Sequence, residues 1–436
     1  TKGFEQGTLR PAQNVNLKEV VSEPLQPSDG PVASETAKPP VGKLETGGSD
    51  TVLQGMAETE LSPVVMRREA SAPEVDSDTP KNAAREIAGE KADVQQTPFV
   101  LLKNEVLPGT TTRLAWSPDV SFMGISAPTA VLVLNGVKPG PTLCLTAAIH
   151  GDELNGVEIV RRLLKRKILR SLRGTLLAVP VVNVHGFLDQ SRYLPDRRDL
   201  NRSFPGSKKG SIAARLANTF TTQIVANADF GIDLHTGAIN RSNLPQIRAN
   251  LDDERTLDIA KAFGAPVIID SNIRDGSLRQ YASERGMPIL IYEAGEALRF
   301  DETCIRAGIR GILNVMRHLG MLPASKAPKQ VTPIVARSTQ WVRAGTSGIV
   351  TGKVRLGSTV KAGQRLATIS DPLGEEEEDV VSPFDGIVIG RITLPLAHEG
   401  DALFNLSSFA SVPKAADAVE TFASAHQDQS SDRQLS

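Results

Sequence analysis

Apolar positions beyond residue 95 alternate between two textures. Short apolar, strand-like runs at 130–134, 142–149, 175–183, 228–235, 266–270 and 288–293 predict buried strands. Between them, 154–167, 211–226, 253–263 and 300–319 carry helical spacing. In the first, Val157, Val160, Leu163 and Leu164 fall on one face, and Arg161, Arg162, Lys165 and Arg166 cover the other. Strands alternating with helices predict an α/β fold with a mainly parallel, mixed sheet flanked by helices. Ligands of such folds bind beyond the carboxyl ends of the strands. His150, Asn183, His235 and Glu293 each follow or end an apolar run, so they are expected to converge on one sheet edge.

The texture changes on either side of this domain, which is expected over 96–325. Residues 1–95 are rich in Pro, Ser, Thr, Gly, Glu and Lys without a sustained period. Such a segment buries too little apolar surface to offset its ordering entropy and is expected to be disordered. Residues 335–410 show short β-like runs broken by glycines, among them Gly345, Gly348, Gly386 and Gly390. A weak internal repeat between 342–350 and 381–388 predicts a small all-β barrel or sandwich. The polar stretch 411–436 is expected to be a flexible tail.

Composition narrows the function classes. With 49 Lys and Arg against 50 Asp and Glu, the formal net charge is −1, and nucleic acid is not an expected partner. No apolar run reaches the roughly 18 residues of a membrane span. Cys144 and Cys304 do not make a disulfide framework and read as small buried apolar side chains. No signal-like apolar segment lies near Thr1, so the reading leans to a cytoplasmic location. A periplasmic one is the alternative if Thr1 follows a removed signal.

The chemistry-bearing residues are His150 and Glu153, then His235 about eighty residues later. Two imidazoles and a carboxylate are the ligand set of catalytic zinc sites, which leave a fourth position open. Taken singly, each residue has an ordinary explanation: a hydrogen-bonded His at a strand end, or a Glu at the positive end of a helix dipole. Asp233 lies two before His235 on a strand, so both point to one face, where Asp233 either holds the imidazole from behind or satisfies the sheet edge. Glu293 ends a very apolar run, and burial raises a carboxyl pKa, which suits proton transfer. Arg192 and Arg202 are candidates for binding a substrate carboxylate through paired N–H bonds, and Arg248 is a further candidate for meeting substrate or transition-state charge.

Three ordered segments carry a family resemblance. They are Ala147-Ala148-Ile149-His150-Gly151-Asp152-Glu153, the loop from Arg192 through Asp199-Leu200-Asn201-Arg202 to Gly206, and Asp233-Leu234-His235-Thr236-Gly237. Over roughly 100–320 the chain resembles the succinylglutamate desuccinylase/aspartoacylase family, a branch of the zinc carboxypeptidase-like fold. The resemblance implies one Zn²⁺ per chain on His150, Glu153 and His235, Glu293 as general acid/base, and Asn201 with Arg202 on the substrate carboxylate. The C-terminal region resembles the lipoyl-like barrel-sandwich domain of some members. The stretch between Asp371 and Pro383 contains no Lys, which excludes a lipoyl or biotinyl carrier. That domain is expected to cap the active site or to mediate assembly into a homo-oligomer.

The expected activity is zinc-dependent cleavage of an amide bond in a small N-acyl amino acid. One alternative is a zinc carboxypeptidase acting on a peptide or cell-wall stem. Another is a non-catalytic metal-binding scaffold.

Overall fold

Among the described residues, thirteen strands form one mixed sheet: β1 Thr111–Trp116, β2 Thr129–Asn135, β3 Lys138–Ala147, β4 Arg173–Val179, β5 Phe230–Gly237, β6 Arg241–Ala249, β7 Val267–Asp270, β8 Ile289–Glu296, β9 Ile334–Ala336, β10 Ser338–Arg343, β11 Thr359–Val360, β12 Gly386–Ile392 and β13 Ala402–Ser408. The computed structural model describes residues 96–117, 128–271, 273–325 and 332–427, so the disorder expected for 1–95 lies outside the described residues. The strand order is β10-β13-β12-β6-β8-β5-β3-β4-β2-β1, with β7 beside β6, β9 beside β7 and β11 beside β12. β4, β3, β5 and β8 run parallel, and β6 returns antiparallel to β8.

Helices cover both faces of the sheet because successive side chains of a strand point to opposite sides. On β3, Leu143, Leu145 and Ala147 join one core with residues of helices Asn155–Leu163, Glu254–Phe263 and Glu302–His318. Cys144 faces the other way, into a core with Trp116, Phe220 and Tyr281 under helices Ile212–Gln223 and Leu278–Glu284. Both cysteines are free and buried, as their apolar surroundings implied. The side-chain oxygens of Ser211, Ser277 and Asp301 accept backbone N–H bonds at their helix starts, which satisfies donors the helix cannot.

The sheet crosses the boundary expected near residue 330. β12 pairs antiparallel with β6 through Gly390, Arg391 and Ile392, and β9 pairs parallel with β7. The C-terminal strands therefore extend the central sheet on one side. On the other, Gly348–Thr351, Arg365–Ser370, Glu377–Val381 and Leu396–Ala397 form a separate four-stranded sheet. The flexible tail expected over 411–436 is corrected for most of its length, since Val412–Gln427 is a helix. Ala415, Ala418, Val419 and Phe422 are buried, and the first and third join Val267, Ile387 and Ile389 in a common cluster. His426, expected in the tail, is buried with Nδ1 2.8 Å from the Phe422 carbonyl oxygen. No described helix is long and apolar enough to cross a membrane.

Candidate metal centre and cleft

The sharp exit from β3 builds the centre. Ala148 takes φ 48°, a conformation that L side chains rarely adopt, and the backbone N–H of Glu153 closes a turn onto the His150 carbonyl at 3.2 Å. Gly151 permits this turn, because a Cβ there would lie 1.9 Å from the Gly186 carbonyl carbon. Asn155, in the first turn of the next helix, donates to the Ala294 carbonyl at 3.1 Å and accepts from the Asp301 N–H at 3.0 Å. These bonds tie the helix start to the end of β8. Register does the rest, since Glu293 on β8 pairs with His235 on β5.

His150, Glu153 and His235 are buried, and one donor atom from each lies within 4.8 Å of the others. Both imidazoles turn Nδ1 towards Glu153, at 2.8 Å from Oε1 for His150 and 2.8 Å from Oε2 for His235. The opposite nitrogens are held by carboxylates: His150 Nε2 is 3.1 Å from Asp199 Oδ1, and His235 Nε2 is 2.7 Å from Asp233 Oδ2. Asp233 is fixed in turn by the Thr146 hydroxyl, which donates to Oδ1 at 2.6 Å. Thr236 N–H donates to Glu153 Oε2 at 3.0 Å.

The electrostatics follow from this packing. Burial alone would lower both imidazole pKa values, but the surrounding carboxylates more than reverse it. Glu153 and Asp199 raise His150, and Asp233 with Glu153 holds His235 well above its ordinary value. Burial opposes ionisation of Glu153 and Asp199, yet the imidazoles keep both carboxyls far below their usual range, with Arg192 contributing at Asp199.

A cleft of about 250 Å³ opens on this centre. Arg192, Asn201, Arg202, Arg248 and Glu293 line it, as do Arg241, Asn243, Arg274, Arg279 and Trp341. Arg192 is committed to protein groups, donating to Asp199 Oδ2 at 3.0 Å and to Glu153 Oε1 at 3.3 Å. Asn201 accepts from the Leu278 N–H at 3.0 Å, which joins its loop to a helix start. Burial lowers the Arg202 pKa, and burial with neighbouring Arg248 and Arg274 lowers that of Arg279 to about 10. That wall is cationic and crowded.

Glu293 departs from the expectation of a buried, solitary carboxylate. Its side chain is 22% exposed on the cleft wall, with Arg248 Nε 3.8 Å from Oε1. Asn243 Nδ2 donates to Oε2 at 2.8 Å. Its apolar neighbours misled because Leu290, Tyr292 and Ala294 join the core on one face of β8, whereas on the opposite face Ile289 is buried but Ile291 and Glu293 open on the cleft. Asn183 lies at the expected edge but caps helix Val184–Leu188, accepting from the Gly186 N–H at 2.9 Å.

Asp199, Asn243, Arg274, Arg279 and Trp341 were not singled out from sequence. Only Asp199 had a signal, lying inside the Asp-Leu-Asn-Arg segment.

Residues 139–319 match the model of the succinylglutamate desuccinylase/aspartoacylase catalytic domain. The chain is 29% identical over 304 residues to N-alpha-acetyl-L-2,4-diaminobutyric acid deacetylase of Halomonas elongata, which covers 67% of this chain and 88% of that protein. It is similar to the crystal structure of a succinylglutamate desuccinylase/aspartoacylase from Rhodobacter sphaeroides, with TM-score 0.62, 25% identity, and coverage of 69% of this chain and 96% of that one. The product-bound ectoine utilization protein EutE (DoeB) of Ruegeria pomeroyi gives TM-score 0.62 at 26% identity, covering 72% of this chain and 98% of that one.

Proposed function

Since residues 139–319 belong to the succinylglutamate desuccinylase/aspartoacylase family, we propose that this enzyme is a zinc-dependent amidohydrolase that removes the acyl group from a small N-acyl amino acid. The observation that carries the reading is the arrangement of the two imidazoles. Each presents Nδ1 inward beside Glu153 while a carboxylate, buried Asp233 or half-buried Asp199, grips its other nitrogen. Ligating histidines show this pattern, because the outer carboxylate fixes the tautomer and ring orientation. The donor set fits zinc: two nitrogens and a carboxylate oxygen at the floor of an open cleft, with one side left to solvent and substrate. His150, Glu153 and His235 would hold the ion, with Asp233 and Asp199 behind them. Bound zinc supplies Lewis acidity and lowers the pKa of a coordinated water towards about 7.

The chain's own groups account for the remaining steps. Glu293 has Oε2 fastened by Asn243, which leaves Oε1 to take a proton from the attacking water and return it to the departing amine. The amine leaves neutral, and the second proton of the water stays on the released acid until it passes to solvent, which leaves a carboxylate. Arg202, Arg248, Arg274 and Arg279 provide the cationic wall on which a substrate carboxylate is held. Arg192 acts mainly by bracing Asp199 and Glu153.

The cleft's small size and its lining by Trp341 favour an acyl-amino acid over an extended peptide. Among the described residues its acidic lining residues are Glu153, set between the imidazoles, and Glu293, given to proton transfer, so neither is left to seat a cationic side chain. The relative from Halomonas, by its name, acts on a diaminobutyrate, whose second amine is cationic; this cleft suits neutral or acidic side chains better. The C-terminal strands are read as a lipoyl-like barrel-sandwich without carrier function, one wall of which faces the cleft.

The test is a panel of N-acetyl and N-succinyl amino acids beside short peptides, with released amine measured for the zinc-loaded protein. Turnover of acyl-amino acids supports the proposal, and turnover of peptides alone would move the chain to the carboxypeptidase reading.

A further inference from the structure

A single row of residues crosses the sheet from the C-terminal strands to the cleft. Trp341 pairs with Asn405, Asn405 with Gly390, Gly390 with Asn243, and Asn243 with Gly295. Residues paired across strands project to the same face, here the face that carries Glu293 two positions from Gly295. The register slips within β6 around Pro245, which has no N–H to give to a ladder. This bulge places Asn243 and Gln246, three apart, on the same face.

Gly390 is where the row is tightest. A Cβ there would lie 2.9 Å from Asn243 Oδ1 and 3.2 Å from Asn405 Cβ. The missing side chain lets the Asn243 amide lie flat against β12 with Nδ2 aimed at Glu293 Oε2, 2.8 Å away. Arg248 Nε stands 3.8 Å from the other oxygen, outside hydrogen-bond range. A carboxylate released by Asn243 would be free to rotate into a close ion pair with that guanidinium, and its proton-accepting oxygen would then be occupied.

We propose that Asn243 is a positioning residue that holds Glu293 off Arg248, and that the C-terminal strand β12 sets Asn243 through Gly390. The C-terminal region is thereby part of the catalytic apparatus. This inference rests on the reading of Glu293 as the proton-transfer group.

The experiment compares zinc-loaded wild type with Asn243→Ala, Gly390→Ala, Glu293→Gln and the double variant Glu293→Gln/Asn243→Ala on one N-acyl amino acid. A misplacement approaching 1 Å can cost about 10²-fold in turnover, so Asn243→Ala is expected to lose roughly 10–100-fold in kcat. KM should rise by less than kcat falls, because Arg202, Arg274 and Arg279 still hold the substrate carboxylate although Arg248 is drawn to Glu293. Gly390→Ala should lose kcat in the same way, with metal content unchanged. A group that acts only through Glu293 has nothing to add once Glu293 is gone, so the double variant should match Glu293→Gln alone.

Unchanged kcat in Asn243→Ala, or a full additional loss in the double variant, overturns the proposal. Should Gly390→Ala fail to fold, the Asn243 variants decide alone. An active Glu293→Gln removes the underlying base assignment and the proposal with it. An inactive Glu293→Gln beside a wild-type Asn243→Ala removes the proposal only.

Discussion

Replacing Asp233 by Asn tests how much of the metal site lies behind its ligands. Asp233 is 1% exposed and accepts two hydrogen bonds, from His235 Nε2 at 2.7 Å and from the Thr146 hydroxyl at 2.6 Å. An Asn of the same shape keeps one carbonyl oxygen for His235 and can donate its NH₂ to the Thr146 oxygen. The bonds survive and the charge does not. Loss of such an outer partner weakens metal binding by about 10–100-fold. With the geometry retained, Asp233→Asn belongs near the tenfold end, about 1.4 kcal/mol. Asp233→Ala belongs near the hundredfold end, because it also strands two buried polar groups at about 1–3 kcal/mol each and should lower Tm. Zinc affinity is read by competition with a chromogenic chelator, and Tm by calorimetry. Wild-type zinc affinity in both variants would refute the claim that Asp233 orients His235.

Glu293→Gln should retain its zinc and lose roughly 10²–10⁴ in turnover; undiminished turnover would take Glu293 out of the mechanism. Zinc uptake should weaken as pH falls, because in the metal-free arrangement the carboxylates raise His150 and His235 above the ordinary 6.5 against the effect of burial, and zinc must displace those protons. Each displaced proton makes the slope up to about tenfold per pH unit, so a pH-independent affinity between 6 and 8 would contradict it. The same raised values stabilise the metal-free fold fully below about pH 6.5, and this contribution fades as pH rises through them, so metal-free Tm should drop on the alkaline side. N-acyl amino acids with acidic side chains should exceed N-acetyl-diaminobutyrate by roughly 10–100-fold in kcat/KM, since a cationic side chain would meet like charge on the arginine wall. The reverse preference would show that Arg202, Arg274 and Arg279 do not face the substrate.

The parts legible in the sequence are those set by local spacing. His150, Glu153 and His235 stood out because the turn after β3 and the alternation of β5 fix where their side chains go. The long helices were visible for the same reason, Glu302–His318 through its buried face from Ile305 to Met316. What local spacing could not show depends on partners distant in the chain. Asn243 reaches Glu293 only through the β6–β8 register and its bulge, and Trp341 reaches the cleft only because β12 and β13 extend the central sheet. Arg279 looked like any helix-surface cation, although it is 4% exposed against the cleft. The C-terminal helix did carry a signal in Ala415, Ala418, Val419 and Phe422 at helical spacing, but two of the four are alanines and the apolar face reads faintly.

The most direct test of the account is metal analysis of the full chain and its His235→Ala variant, with amide hydrolysis followed on the same samples. The account predicts one zinc per chain and turnover of an N-acyl amino acid in the wild type, with both lost in the variant. Stoichiometric zinc in His235→Ala, or hydrolysis that persists after the wild type is stripped of metal, would contradict it.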